Sequence, residues 1–280
     1  MKVCRSVSEF RDIRAVFGAQ TSLGLVPTMG ALHAGHMALV AAAKRDNDRV
    51  AATIFVNPTQ FGEAADLENY PRTEAEDLAK LERAGVDAVL IPKASDLYPK
   101  GAETIVETTR LANMLHGLVR PGHYRGVATV VTKLFNIANP NCAYFGEKDY
   151  QQLAVIRRMV RDLHMPVDII AVPTQRDPDG LAMSSRNLRL SPEDRAAAPV
   201  LNAALDAAMT ARTVEDIAAT IRNIVGGEPR ATLKGLDIVD AATFAPVSGP
   251  LTAKVGVMIS AEFGPADDPV LLIDQREITP

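Results

Sequence analysis

The chain has 280 residues, of which 47% are hydrophobic and 23% are charged, and its formal net charge is −4. This is the balance of an ordinary globular protein, with enough apolar material for a core that needs no disulfide or structural metal. The negative charge disfavours a polynucleotide partner, which selects a broad basic surface, but it leaves a single nucleotide possible.

The N-terminal residues and the longest apolar runs bear on where the protein works. Residues 1–14 mix charged and polar side chains and lack the apolar stretch of a signal peptide. No run approaches the ~20 apolar residues that a membrane helix needs. Cys4 and Cys142 stand far apart, without the spacing of a metal site. The sequence therefore predicts a cytoplasmic protein with neither a nucleic-acid nor a membrane partner.

Short apolar runs recur through the first two thirds of the chain. Such continuous runs are typical of parallel strands that helices cover on both faces. We predict strands at 23–27, 50–56, 86–91, 142–145 and 167–172.

Helical patterns separate these strands. We predict helices from about Gly35 to Lys44, from Thr73 to Gly85, along an apolar stripe from 127 to 137, and from Asp149 to Leu163. Thr73 and Glu76 have the spacing of a capping box. Strict alternation of strand and helix predicts an α/β fold with a doubly wound, Rossmann-like parallel sheet.

The pattern changes after residue 174. A polar, turn-rich segment at 175–180 is followed by two helices, which Ser191 and Thr213 would cap, and by three strands near 236–239, 255–259 and 270–273. We therefore predict a first domain at 1–175 and a smaller α+β C-terminal domain at 176–280.

A turn with two histidines, His33-Ala34-Gly35-His36, joins the first of these strands to its helix. Ligands of open α/β sheets bind at the carboxyl ends of strands, where helix N-termini favour phosphate. Imidazoles three residues apart share a helical face, and Gly35 would let a phosphate approach the backbone. No third clustered ligand supports zinc, and no P-loop is present. We predict that this turn binds ATP.

A second polar segment, Met183-Ser184-Ser185-Arg186-Asn187, offers two hydroxyls and a guanidinium to a polyphosphate. By itself it is an ordinary polar loop. Together with the histidine turn it resembles the signature pair of the HIGH/KMSKS nucleotidyl transferases. In that superfamily the two elements bind the triphosphate from opposite sides. Ala182 stands where that superfamily usually has a lysine.

Six motifs, in order along nearly the whole chain, resemble the pantoate–β-alanine ligase family. They are Pro27-Thr28-Met29-Gly30-Ala31-Leu32-His33, Phe55-Val56-Asn57-Pro58-Thr59-Gln60-Phe61, Tyr70-Pro71-Arg72, Arg120-Pro121-Gly122-His123-Tyr124-Arg125-Gly126, Phe145-Gly146-Glu147-Lys148-Asp149-Tyr150-Gln151-Gln152 and Met183-Ser184-Ser185-Arg186-Asn187. The segment 264–269 departs from the family as a few extra residues before the last strand.

The resemblance implies ATP-dependent condensation of pantoate with β-alanine through pantoyl adenylate, with release of pyrophosphate and AMP. The first domain would bind ATP and pantoate, and the second would cover the active site. Charge neutralisation in the first step would come from Mg²⁺ on the phosphates and from His33, His36, Lys148, Ser184, Ser185 and Arg186. Further ATP contacts would come from Met29, Gly146, Asp149 and Met183.

The same resemblance assigns the acid and amine pockets. Gln60 and Gln152 would bind the hydroxyls of pantoate, with Met29 and Phe61 as an apolar wall. The β-alanine pocket would include Asn57, Tyr70 and Gln60.

Three more expectations concern other parts of the chain. Glu76 and Asp77 could hold Mg²⁺, although both also fit the solvated first turn of a helix. His116, His123 and His164 read as surface or loop groups, and His123 is the strongest exception because it lies in a family motif. The family also implies a homodimer.

Two alternatives stay open at this point. Another adenylyl or cytidylyl transferase of the superfamily would explain the first and last motifs, but not the segments at 57–61 and 148–152. A non-catalytic ATP-binding module would have no need for the charge-neutralising groups, yet His33, His36, Lys148 and Arg186 are all present.

Overall fold

The computed structural model describes residues 1–62 and 67–280. These residues form two compact units, each with its own sheet. Unit 1 comprises Met1–Gly146 and Gln151–Pro173, and unit 2 comprises Glu147–Tyr150 and Thr174–Pro280.

Unit 1 is built on a sheet whose strands all run parallel. Its order is β1-β4-β3-β2-β5-β6, with β1 at Lys2–Cys4, β2 at Leu23–Thr28, β3 at Arg49–Ile54, β4 at Ala88–Leu90, β5 at Cys142–Gly146 and β6 at Asp168–Val172. The central strands β2, β3 and β4 are almost completely buried, as their continuous apolar runs predict. The doubly wound α/β fold is confirmed.

Helices connect these strands. They are α1 at Val7–Phe17, α2 at Ala34–Asp46, α3 at Glu74–Arg83, α4 at Ala94–Leu97, α5 at His116–Val119, α6 at His123–Ala138 and α7 at Tyr150–Asp162, with single 3₁₀ turns at Pro58–Gln60 and Leu111–Asn113. The apolar stripe of α6 is buried, as predicted. Within 1–62 and 67–280, no helix has both the length and the hydrophobicity of a membrane span.

Strand order reverses between β2 and β5. The chain proceeds from β2 to β3 and β4 on one side, then crosses to β5 and β6 on the other. In open α/β sheets the crevice outside the carboxyl ends of the strands at such a point is where ligands bind. The histidine turn follows β2, and the Gly146-Glu147-Lys148 segment follows β5, so both motifs begin at this position.

Unit 2 is an α+β assembly, as predicted. Its helices are α8 at Pro192–Ala197, α9 at Val200–Ala207 and α10 at Val214–Gly226, and its antiparallel strands are β7 at Thr232–Asp240, β8 at Val255–Phe263 and β9 at Val270–Ile278, paired in that order. The side chains of Ser191 and Thr213 cap α8 and α10. Apolar side chains of α9, α10 and the strands form the core.

The structure differs from the predicted elements at several points. The sequence did not reveal β1 and α1, since β1 has only three residues and its second and third positions alone are apolar. β7, β8 and β9 extend beyond their predicted ranges, whereas β4 is shorter than its predicted range. The capping box at α3 is wrong, because Thr73 makes no side-chain cap bond and its hydroxyl donates to Asp77 at 3.1 Å instead.

Candidate active site

The two imidazoles of the histidine turn cap the helix that they begin. His33 is the N-cap of α2, and its Nδ1 accepts a hydrogen bond from the Gly35 N–H at 3.1 Å. The His33 N–H donates in turn to Nδ1 of His36 at 3.3 Å, and the ring centroids are 4.2 Å apart. A ring nitrogen that accepts carries no proton, so both neutral rings have their proton on Nε2.

Gly35 has a different purpose from the one that the sequence suggested. A Cβ at this position would come within 2.8 Å of Cε1 and 2.9 Å of Nδ1 of His33. The glycine is therefore needed because the capping ring of His33 lies directly against it. Close approach of a phosphate is not required to explain it.

The backbone before His33 is held by two side chains of α3. Both oxygens of Asp77 accept backbone N–H groups, from Leu32 at 2.8 Å and from Ala31 at 2.9 Å. Lys80 donates to the carbonyl oxygen of Leu32 at 2.7 Å. Asp77 is fully buried. The carboxylate that the sequence offered as a magnesium ligand thus binds the protein's own backbone.

Gln60 lies in the 3₁₀ turn after β3, and Asn57 holds it there. The Asn57 amide donates to Oε1 of Gln60 and to the Gly126 carbonyl, both at 3.1 Å, so both of its N–H bonds are used. Its Oδ1 accepts from the Thr59 hydroxyl at 2.9 Å and from the Tyr98 hydroxyl at 2.8 Å. Asn57 is 1% exposed, so its side chain fixes the turn from within.

Helix α6 packs directly on this turn. A Cβ on Gly126 would lie 2.5 Å from the Thr59 carbonyl oxygen, so only glycine fits there. Nδ1 of His123 bonds to the Gln60 carbonyl at 2.8 Å. Burial raises the pKa of Tyr98 above its ordinary value of 10.0, and the protonated hydroxyl donates to Asn57.

The sequence did not predict that Tyr98 holds Asn57 or that His123 bonds to the Gln60 carbonyl. The position of His123 in the Arg120–Gly126 motif was a usable signal. Tyr98 has none, because its contact with Asn57 joins residues 41 positions apart.

The other predicted pantoate and β-alanine residues also belong to unit 1. The Gln60 amide donates to Sδ of Met29 at 3.1 Å. Phe61 and Tyr70 pack edge to face, with ring centroids 5.8 Å apart. Both rings are partly exposed, and so is Gln152, which lies in the first turn of α7. Its neighbour Gln151 is structural, since its side chain bonds to Leu111, Met114 and His116.

Unit 2 brings together the remaining phosphate-binding candidates. A small cleft in it is lined by Lys148, Ser184, Arg186 and Asn187, with β9 residues as its floor. Lys148 and Arg186, 38 positions apart in the chain, therefore meet in one cleft. Ser184 caps the 3₁₀ turn Ser185–Arg189 by accepting from the Arg186 N–H at 3.2 Å. Ala182, at the usual lysine position, is buried.

Two interactions fix the walls of this cleft. The Arg176 guanidinium makes two hydrogen bonds to the buried Asp274 carboxylate, at 2.6 and 2.9 Å. Paired bonds of this kind define orientation as well as strength. Tyr150, two residues after Lys148, stacks on Phe244 and donates to Glu277 at 2.9 Å, which anchors the segment 147–150 in unit 2.

The two predicted magnesium ligands lie in different surroundings. Asp77 is committed to the backbone of the histidine turn, and Glu76 is exposed on α3. Among the residues that the structure describes, no group of three or more histidine, cysteine, aspartate or glutamate side chains could hold a metal ion.

The comparisons with known proteins agree with this architecture. A model of the family described as pantoate-beta-alanine ligase matches residues 2–277. The chain is 47% identical to the pantothenate synthetase of Agrobacterium fabrum over 284 residues, which covers 99% of this chain and 96% of that protein. It is 54% identical to the pantothenate synthetase of Chloroflexus aurantiacus over 236 residues, covering 82% and 83%.

Solved structures give the same result. The crystal structure of pantothenate synthetase from Thermus thermophilus matches with a TM-score of 0.92 and 43% identity over 100% of both chains. Pantoate-beta-alanine ligase from Francisella tularensis, complexed with beta-gamma ATP and beta-alanine, matches with a TM-score of 0.81 and 35% identity, covering 99% of this chain and 97% of that one. With a family match over nearly its whole length and close relatives at this identity, the chain belongs to the pantoate–β-alanine ligases, the carbon–nitrogen ligases that use ATP to make pantothenate.

Proposed function

We propose that the reaction proceeds through pantoyl adenylate and that the paired imidazoles of His33 and His36 stabilise its formation. A carboxylate oxygen of pantoate attacks the α-phosphorus of ATP, and the bond to pyrophosphate breaks. The β-alanine nitrogen then attacks the acyl carbon, loses a proton, and displaces AMP. The observation that carries this proposal is the mutual capping of the two rings, which leaves the proton of each on Nε2.

Charge on the phosphates builds during the first step. The two Nε2–H groups would donate to phosphoryl oxygens, which uses neutral imidazoles as preorganised donors. Lys148 and Arg186 would supply positive charge from the unit 2 cleft, and Ser184 and Ser185 would supply hydroxyl donors. Contacts to the rest of the nucleotide would come from Met29, Gly146, Asp149 and Met183. The beta-gamma ATP in the Francisella tularensis structure supports a nucleotide site of this kind.

Gln60 would bind pantoate. Its Oε1 accepts from Asn57, and its amide lies against Met29, so the side chain is fixed before a ligand arrives. Such preorganisation reduces the entropy that binding costs. Gln152 would reach the other polar atoms of the acid, and Met29 and Phe61 would pack on its methyl groups. Asn57 would act through Gln60.

Tyr70 and Gln60 would serve the β-alanine pocket, because Tyr70 packs against Phe61 beside the same turn. The β-alanine in the Francisella tularensis structure supports the presence of such a pocket in the family. The second step needs no strong base here, since the adenylate is a good leaving group, and the site mainly has to exclude water.

Mg²⁺ enters the proposal only as the ion that ATP carries on its phosphates. Magnesium in nucleotide sites is often held by substrate phosphates and water, with few protein ligands. Asp77 already accepts two backbone N–H groups, so no step above depends on Glu76 or Asp77 as ligands of the ion.

The larger organisation is proposed on the family resemblance. Residues 1–175 would bind ATP and pantoate, and residues 176–280 would cover the active site. The enzyme would be a cytoplasmic homodimer.

The proposed mechanism is tested by supplying ATP, Mg²⁺, pantoate and β-alanine and omitting each substrate in turn. We expect pyrophosphate release to require ATP and pantoate alone, and AMP and pantothenate to require β-alanine as well. Pyrophosphate release that depends on β-alanine would contradict an adenylate formed from pantoate alone.

A further inference from the structure

Helix α3 contacts the histidine turn through two side chains on one helical face. Asp77 accepts the N–H groups of Ala31 and Leu32, and Lys80, three residues later, donates to the Leu32 carbonyl. The N–H groups of Ala31 and Leu32 and the C=O of Leu32 are therefore all held by side chains of α3. Asp77 is fully buried, so no solvent competes for its bonds.

The backbone at this point adopts a conformation that needs such support. Gly30 and Ala31 have φ angles of 86° and 50° in succession. The left-handed region is strained for alanine, and a residue stays there only where its surroundings hold it. Asp77 receives the N–H of Ala31 itself, and a Cβ on Gly30 would lie 3.2 Å from its Oδ2. Asp77 thus fixes the direction in which the chain leaves β2.

That direction determines where both imidazoles point. His33 follows Leu32 as the N-cap of α2, and its N–H holds Nδ1 of His36. We propose that Asp77 and Lys80 are positioning residues that aim the two histidines at the phosphates during adenylate formation. The inference rests on the proposed role of the histidines, and it assigns neither Asp77 nor Lys80 a contact with substrate.

The test uses Asp77→Asn, Lys80→Met and Lys80→Arg in the full-length enzyme. Asp77→Asn keeps the shape of the side chain but places an NH₂ group against one of the two backbone N–H groups that the carboxylate accepts. Lys80→Met keeps an unbranched side chain but cannot donate a hydrogen bond to the Leu32 carbonyl. Arg83→Met, on the exposed face of α3, is the control. Two rates are measured: single-turnover pyrophosphate release from ATP and pantoate, and pantothenate formation from supplied pantoyl adenylate and β-alanine. Circular dichroism reports folding.

We expect Asp77→Asn and Lys80→Met to slow pyrophosphate release by about a hundredfold, the effect of a misplaced catalytic group. Pantothenate formation from supplied adenylate should stay near wild type, because phosphate neutralisation is needed in the first step. Lys80→Arg, which can still donate to the Leu32 carbonyl, should restore most of the release rate, and Arg83→Met should match wild type.

Normal pyrophosphate release in folded Asp77→Asn and Lys80→Met would overturn the inference. So would an equal loss in both half-reactions, which would mark a purely structural role. If Asp77→Asn does not fold, the Lys80 pair decides by the same criteria. A wild-type enzyme that releases no pyrophosphate with pantoate would instead contradict the proposed mechanism, so the two failures are distinguishable.

Discussion

At the scale of single residues, the site is a set of side chains whose neighbours fix them in advance. The His33 ring accepts the Gly35 N–H and the His36 ring accepts the His33 N–H, and Asn57 uses both amide hydrogens to hold Gln60 and helix α6. A side chain held in this way loses little freedom when it binds a ligand. The side chains proposed to contact substrate are thus held in place by other groups of the protein to which no substrate contact is assigned.

Gln60→Ala should weaken pantoate binding more than ATP binding. The variant removes the fixed amide beside Met29 and leaves the histidine turn untouched. A lost hydrogen bond to a charged ligand costs about 1.5–3 kcal/mol, so we expect a tenfold to hundredfold rise in the Kd of pantoate. Titration calorimetry with each ligand measures this. Gln20→Ala, at an exposed position outside the site, should change neither Kd; equal losses for both ligands in Gln60→Ala would count against the assignment.

Sequence reasoning proposed residues with distinctive chemistry and missed those that position them. His33, His36 and Lys148 stand near glycines that follow strands, and Arg186 stands in a polar segment with two serines. The tasks of Asp77 and Tyr98 depend on partners 45 or 46 and 41 positions away, and no local pattern encodes such contacts. Asp77 also fitted a helix N-terminus, so the sequence suggested a metal role and gave no sign of its bonds to the backbone.

At the scale of elements, caps and turns decide where unit 2 begins its helices. Ser191 accepts from the Asp194 N–H at 3.1 Å, and its hydroxyl donates to Asp194 Oδ2 at 2.7 Å. Arg230 adds a hydrogen bond at 2.9 Å to the other oxygen. The Ser191 hydroxyl and Arg230 together lower the pKa of Asp194 below its ordinary value of 3.8.

The cap at Ser191 and Asp194 predicts how the free energy of unfolding depends on pH. A carboxyl group whose pKa is lower in the folded state stabilises the fold above the unfolded pKa, and this contribution disappears as pH falls through the folded pKa. Asp194→Asn should therefore lower the free energy of unfolding at pH 7 by about 1 kcal/mol, and the difference should shrink as the pH falls below the ordinary carboxyl pKa of 3.8. Urea unfolding followed by circular dichroism measures it. Glu193→Gln, the exposed neighbour, is the control, and a difference between Asp194→Asn and wild type that is independent of pH would contradict the linkage.

Elements with strong local signals were predictable and short ones were not. Apolar runs and periodicity predict the mostly buried strands β2, β3 and β5, the partly exposed strand β6, and the helices α2, α6 and α7. β1 has three residues and gains its place by pairing with β4, which a single stretch of sequence does not reveal. The histidine cap of α2 also escaped prediction, because histidine is an uncommon N-cap and its role there depends on the second ring.

At the scale of the whole molecule, strand order explains why these motifs stand where they do. The reversal between β2 and β5 makes the carboxyl ends of those two strands the expected ligand crevice, and the histidine turn and the Lys148 segment begin there. The residues proposed to bind the substrates are divided between the two units. The imidazoles and Gln60 belong to unit 1, and Lys148, Ser184 and Arg186 belong to unit 2.

The proposed homodimer makes a simple prediction. Light scattering at micromolar concentration should give twice the chain mass, and the mass should not fall on modest dilution because stable interfaces bury extensive surface. A monomer mass across that range would contradict the proposal.

The most direct test of the mechanism is single-turnover pyrophosphate release by His36→Ala and Lys148→Ala, with ATP and pantoate supplied. Removing one preorganised donor to a developing charge typically slows a reaction by about a hundredfold to a thousandfold, so each variant should lose at least about a hundredfold. His164→Asn and Lys100→Ala, at exposed positions, serve as matched controls and should keep the wild-type rate. Unchanged pyrophosphate release in both folded variants would contradict the claim that the histidine turn and Lys148 neutralise the phosphates during adenylate formation.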